Sequence, residues 1–200
     1  MFLHFKNYWK LLFFSIICNI LAPTTHATIH LFLPEDAAIF SDCDDKTDVL
    51  GLDSFLDMSN LKVEILDESA SIEGFAEVIW DVEPTDRIDF RADLLKSARG
   101  GWQPTVFSMA QKDFCSTLFD EDGFWYKAWG QFVDEEERKC FNNKGVIYHH
   151  VPFHMMLAVD IEGEKMSGLH KAVFEIEAYS DQDKLRSSVC IQMLLDIITK

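Results

Sequence analysis

The sequence predicts a mainly β protein, an antiparallel β-sandwich or β-cup with a short helical insertion around residues 112–135. Three observations lead there. Apolar and polar residues alternate with period two over several segments, which places one face of each strand in a core and the other in water. The turns between these segments are short and polar. One stretch in the middle loses the alternation and takes up helical spacing instead.

The segments follow in order. Leu61, Val63 and Ile65 alternate with Lys62 and Glu64. Ile72, Ala76, Val78, Trp80 and Val82 alternate with Glu73, Glu77 and Asp81. Ile88, Phe90, Ala92 and Leu94 alternate with Arg87, Asp89, Arg91 and Asp93. Asp67-Glu68-Ser69-Ala70 and Glu83-Pro84-Thr85-Asp86 separate them, so these three strands are expected to form an antiparallel meander. Arg99-Gly100-Gly101 breaks the pattern, and a strand is expected from Thr105 to Met109. In 112–139, Phe114 and Leu118 are four apart, as are Trp125 and Trp129, and Gly123 divides the stretch into two short helices at most. Strands resume after Gly145. Ala172, Phe174, Ile176 and Ala178 alternate with Lys171, Glu175 and Glu177. The last segment, with Val189, Ile191, Met193, Leu195 and Ile197 in step, reads as a strand buried on both faces.

The first 27 residues have the layout of a cleavable signal peptide. Lys6 and Lys10 precede an apolar run, Leu11 to Leu21, and Thr25 and Ala27 place small residues where a signal peptidase reads. The run is shorter than the ~20 residues that span a bilayer, and no later stretch approaches that length, so no transmembrane segment is expected in the mature chain. A single domain is expected over 28–200, in a secreted, extracellular protein. Loss of Lys6 and Lys10 leaves 16 basic against 34 acidic residues, a net charge of −18. Such a surface repels nucleic acid and anionic membranes. With 13 Phe and 4 Trp after residue 27, the mature chain is too apolar for disorder.

Cys18 falls in the signal. Cys43, Cys115, Cys140 and Cys190 remain, an even set that suits an oxidising compartment and allows three pairings. None lies in a C-x-x-C, which argues against a zinc or redox role. His150 and His154 would share one face of a strand and could offer two metal ligands, but no third is evident, and both read as surface residues. The acidic group Asp42, Asp44, Asp45 and Asp48 lacks the central Gly and closing Glu of a calcium loop. There is no G-x-S-x-G, no H-E-x-x-H and no phosphate-cradling glycine loop. No metal, cofactor or catalytic residue is expected, and the chain is not read as an enzyme.

A looser pattern runs through the second half: Gly101-Trp102, Phe107, Asp113-Phe114-Cys115, Leu118, Trp125 and Trp129, then Cys140, Gly145, Tyr148, Pro152-Phe153 and Cys190. It resembles the insect CheB-type chemosensory secreted proteins, which are similar in turn to the ganglioside activator of the ML lipid-recognition superfamily. The resemblance covers roughly residues 28–200. It implies an ML-like β-cup, two antiparallel sheets splayed around an apolar cavity, that carries a lipid-like or pheromone-like molecule in chemical sensing without catalysis. It also implies a Cys43–Cys190 disulfide joining the two ends of the domain. Cys115 and Cys140 then pair, closing a loop of about 25 residues, worth roughly 3 kcal/mol.

The apolar faces supply the expected cavity lining: Val63, Ile65, Val78, Trp80, Ile88, Phe90, Phe174, Ile176 and Met193. The partner would be a hydrophobic small molecule or lipid, with a sensory receptor as a second partner to consider. The alternative reading is an extracellular protein-interaction module with a filled core and an acidic surface. A metal-dependent hydrolase resting on His150 and His154 is a remote third.

Overall fold

The computed structural model describes residues 28–35, 39–161 and 166–200, so the signal peptide expected over residues 1–27 lies outside the described residues. Among the described residues, eleven strands form two antiparallel sheets. The larger sheet holds β7 (Gly101–Gln111), β6 (Arg87–Ala98), β10 (Gly168–Tyr179), β11 (Leu185–Thr199), β1 (Thr28–Pro34) and β9 (Ala158–Ile161), in that order. A short β2 (Ser41–Asp42) lies beside β11 at Ile191 and Gln192. The smaller sheet is centred on β5 (Ser69–Val78). β8 (Ile147–Met156) runs along one edge of it, and β4 (Leu61–Ile65) and β3 (Leu56–Asp57) follow each other along the other.

The meander expected from three consecutive alternating segments forms only in part. β4 and β5 pair, but β6 pairs with β10 and β7 in the larger sheet. Residues 83–86 carry the chain across. Alternation fixes that a segment is a half-buried strand; it does not fix the neighbour. The crossing is held by Asp86, buried, whose carboxylate accepts from the Glu83 backbone N–H at 3.1 Å and pairs with Arg186 at 3.0 Å. Asn142 Nδ2 donates to the Pro84 and Asp86 carbonyls at 2.8 and 3.0 Å.

The strand expected at 105–109 spans Gly101 to Gln111; Arg99-Gly100 make the hairpin turn before it, and Gly100 and Gly101 both have positive φ. Gly74, at φ 104°, allows a close approach: a Cβ there would lie 2.1 Å from the Asn60 carbonyl oxygen. The last segment is one long strand, β11. Its second face is covered by the Cys43–Cys190 disulfide, with Val173, Val49 and Leu95 packed around it. The second disulfide joins Cys115 to Cys140. Both are the pairs expected above. The insertion contains one short helix, α1 (Phe124–Ala128), and 3-10 turns at Phe114–Ser116, Gly130–Phe132 and Glu135–Glu137.

β8 corrects the histidine reading. Ile72 pairs with Phe153 while Gly74 pairs with His150, so β8 carries one extra residue between the two rungs, at Val151-Pro152. Proline, without an N–H to give a ladder, suits such a bulge. The shift places Phe153 on the face of His150 and turns His154 to the opposite one. His150 is buried rather than at the surface, and its Nε2 accepts a hydrogen bond from Trp129 Nε1 at 2.8 Å. His154 is exposed. Among the described residues no three His, Cys, Asp or Glu side chains stand close enough to hold a metal.

Candidate functional site: an apolar trough on the inner sheet face

Register decides what each face of the larger sheet carries, because directly paired residues point the same way. Ile88, Ala178 and Ser187 lie on one side with Phe90, Ile176 and Val189. The same side continues through Ala92, Phe174 and Ile191, then Leu94, Ala172 and Met193, then Lys96, His170 and Leu195. Phe32 on β1 joins it through Ile197. The intervening residues Asp89, Arg91, Asp93, Glu175 and Glu177 face the other way.

This inner face has two halves. In the first, Ile88, Phe90, Ile176, Ala178, Val189 and Ile191 pack with Phe55, Val78 and Trp80 from the smaller sheet side and with Phe114 and Leu118 from the insertion. The rings interlock: Phe90 stacks on Phe114 at 4.7 Å and meets Trp125 edge-on at 5.0 Å, and Phe55 meets Trp80 edge-on at 5.5 Å. Trp80 is fully buried, and its Nε1 donates to Ser187 Oγ at 2.9 Å. This half is closed.

The second half is open. Phe32, Leu94, Phe107, Ala172 and Leu195 floor a trough of about 420 Å³, with Ala92, Met109 and Phe124 along its sides. Asp93 and Ser108 also border it, but they are a cross-strand pair on the opposite face, so the groove is apolar. Met166, Leu195 and Ile197 form a buried cluster beside it, against which Phe32, Leu94, Phe107, Ala172 and Met193 pack. Phe124, at the start of α1, is 65% exposed and meets Trp125 edge-on at 5.1 Å. The volume lies in the range of small-molecule sites, roughly 300–1,000 Å³.

Of the nine residues expected to line one continuous space, seven are divided between the two halves and two lie in neither. Val78, Trp80, Ile88, Phe90 and Ile176 meet in the closed half, with Phe174 half-buried against them. Met193 packs against the buried cluster beside the trough. Val63 and Ile65 share the inner face of the smaller sheet with Ile72 and Ala70, their pairing partners, but are 37% and 40% exposed and join neither cluster. The trough residues that sequence reasoning passed over are Phe32, Ala92, Leu94, Phe107, Met109, Phe124, Ala172 and Leu195. Their signal was present: Ala92, Leu94, Ala172 and Leu195 occupy the apolar positions of their own alternations, one or two steps further along the strands. Phe124 carries no such signal, since only the fold brings α1 to the sheet.

A second, polar cleft of about 540 Å³ is bordered by Glu136, Glu137, Lys139, Lys144 and His149. Glu137 is fully engaged there: one oxygen accepts from the His149 backbone N–H at 2.7 Å and the other meets His149 Nδ1 at 2.5 Å. Burial raises its pKa, but these hydrogen bonds outweigh burial and hold it below the ordinary carboxylate value. A carboxylate so fixed is committed to its neighbour, and the cleft presents no free acid–base pair built around it.

Comparison with models of protein families and with curated proteins finds no match to this chain. Two disulfides, and the absence among the described residues of a helix long and apolar enough to cross a membrane, are compatible with an extracellular protein.

Proposed function

We propose that this chain is a secreted, non-enzymatic binder and carrier of a small hydrophobic ligand, lipid-like or pheromone-like, whose apolar part lies in the trough. The carrying observation is the uncovered half of the inner face: about 420 Å³ bordered by apolar side chains from five strands and α1. Burying a chain there gains about 0.8 kcal/mol per CH₂, so a dozen methylenes give useful affinity without any charge pairing. The disulfides support the secreted setting, and the chemosensory role follows from the resemblance to the CheB-type proteins.

Native mass spectrometry of the secreted protein, before and after solvent extraction, tests the reading. A co-purifying apolar molecule of discrete mass, lost on extraction and restored by adding it back, is the expected result. A protein that carries nothing and takes up no alcohol, hydrocarbon or fatty acid argues for the alternative, an interaction module. The filled half around Trp80 and Phe90 is what favours that second reading.

A further inference from the structure

Resting on the trough as the ligand site, we infer that the ligand is an amphiphile with a carboxylate head, held by Lys96 at one end of the trough. The next rung of the sheet beyond Leu94 and Ala172 is Lys96 paired with His170, on the same inner face. These two border a second cavity of about 330 Å³ together with Thr105, Phe107 and Met166. Phe107 lines both this cavity and the trough, so the two spaces adjoin across one ring. Two residues of strand separate the Leu94 and Lys96 positions, about 7 Å, so a head group at Lys96 is in reach of an alkyl chain lying over Leu94.

Charge then selects the head. Among the described residues, no cation borders the trough, and Lys96 is the one Lys or Arg that borders the adjoining cavity. Lys96 forms no ion pair among the described residues, although the chain carries 34 acidic residues against 18 basic ones. Seven of the fifteen described Lys and Arg side chains pair with a carboxylate; Lys96 does not pair with one among the described residues, and it stands exposed beside an apolar groove. The neighbouring polar groups are occupied. Thr105 Oγ1 donates to the Leu94 carbonyl at 2.7 Å and accepts from the Phe107 N–H at 3.1 Å. His170 Nδ1 lies 2.8 Å from the Gly168 carbonyl, so that nitrogen carries the proton and the ring is fixed as wall. A charge-assisted hydrogen bond from Lys96 to a carboxylate is therefore the strong polar contact this end can offer.

Dodecanoate and dodecanol differ only in the head and separate this inference from the one beneath it. Both are titrated into the full secreted protein at pH 8, where the acid is ionised, with displacement of a fluorescent apolar probe as readout. The wild type should bind dodecanoate about tenfold more tightly than dodecanol. Lys96→Gln should bring the two affinities together by weakening dodecanoate alone, and Lys96→Arg should keep the preference. If dodecanol binds and dodecanoate binds no better, or if Lys96→Gln keeps the preference, the carboxylate head is refuted while the trough stands. If neither binds the wild type, both inferences fall. Lys96 is exposed, so these variants should fold as the parent does, and matching melting curves check this.

Discussion

Filling the trough and filling the closed half should have opposite consequences, and one large side chain placed in each tests the division of the inner face. Ala172 is half-buried on the trough floor, paired with Leu94 on one side and Met193 on the other. Ala172→Trp directs an indole into about 420 Å³ of open space. Nothing has to move, so stability should stay within ~0.5 kcal/mol of the parent. Val78 is fully buried among the rings of the closed half. Val78→Trp overpacks it, at about 1–3 kcal/mol. For a domain of this size each kcal/mol shifts Tm by roughly 2–4 °C, so Val78→Trp should melt roughly 2–12 °C lower and Ala172→Trp within about 2 °C. Binding runs the other way. An indole that displaces only three methylenes of a dodecyl chain forfeits ~2.4 kcal/mol, a loss of roughly 50-fold. Scanning calorimetry and dodecanol titration read both effects. An Ala172→Trp protein that melts with the parent and binds dodecanol as the parent does would refute the trough as the site. A Val78→Trp protein with the parental Tm would show that the closed half has room after all.

The two disulfides should differ in weight. Their sequence separations of 25 and 147 residues predict losses of ~3.5 kcal/mol for the Cys115→Ala/Cys140→Ala pair and ~5 kcal/mol for Cys43→Ala/Cys190→Ala, read from urea midpoints; the reverse order would sink the loop-entropy account. His150 should make the fold acid-sensitive. Burial holds its pKa below the ordinary histidine value of 6.5, so the unfolded chain takes up the proton first and stability falls as pH drops from about 6.5 toward the folded pKa. His150→Gln should flatten the change in urea midpoint between pH 7 and 5.5, and an unchanged slope would place the sensitivity elsewhere. Asn142→Ala leaves the Pro84 and Asp86 carbonyls without their donor at the sheet crossing and should cost about 1–3 kcal/mol by the same measurement; a loss below ~0.5 kcal/mol would mean that other groups or water take over.

Much of the fold was legible because alternation is a local signal. Each of the three β4–β6 segments forms a strand near its expected position, and the double-faced burial of β11 was readable from its apolar residues at both parities. What was not legible is pairing. The turn at 83–86 looks like any tight polar turn, yet it crosses between sheets, and only the buried Asp86, Arg186 and Asn142 contacts reveal why. His150 and His154 show a second limit. A spacing of four puts them on one face of an ideal strand, and a single bulge residue at Val151-Pro152 separates them. The site was half legible for a related reason. Its residues lie on the predicted apolar faces, but sequence cannot tell which part of an apolar face another layer covers. Trp80 and Phe90 meet the aromatic insertion and are closed; Leu94 and Ala172, one or two rungs further on, meet nothing comparable.

The acidic composition and the open trough make physical sense together. On β6 and β10 the two faces divide the work. Asp89, Asp93, Glu175 and Glu177 point outward, partly tied into pairs such as Arg91–Asp93 at 2.6 Å and Lys46–Glu175 at 2.6 Å, while Ala92, Leu94 and Ala172 point inward. An uncovered apolar groove invites a second copy of the chain as readily as a ligand. A net charge of −16 on the chain works against that, because like-charged copies repel over about 8 Å at physiological ionic strength. A small ligand is not subject to the same barrier. A neutral one feels little of the field, and a monoanionic one would, on the inference drawn above, end at Lys96. On the proposed reading, the charge would hold off whole proteins of the same sign and admit molecules small enough to lie in 420 Å³. This also explains why the excess acid is spread over outer strand faces and loops rather than gathered at the trough. Acid placed on the inner face would have made the groove unfit for the apolar chain proposed to lie there.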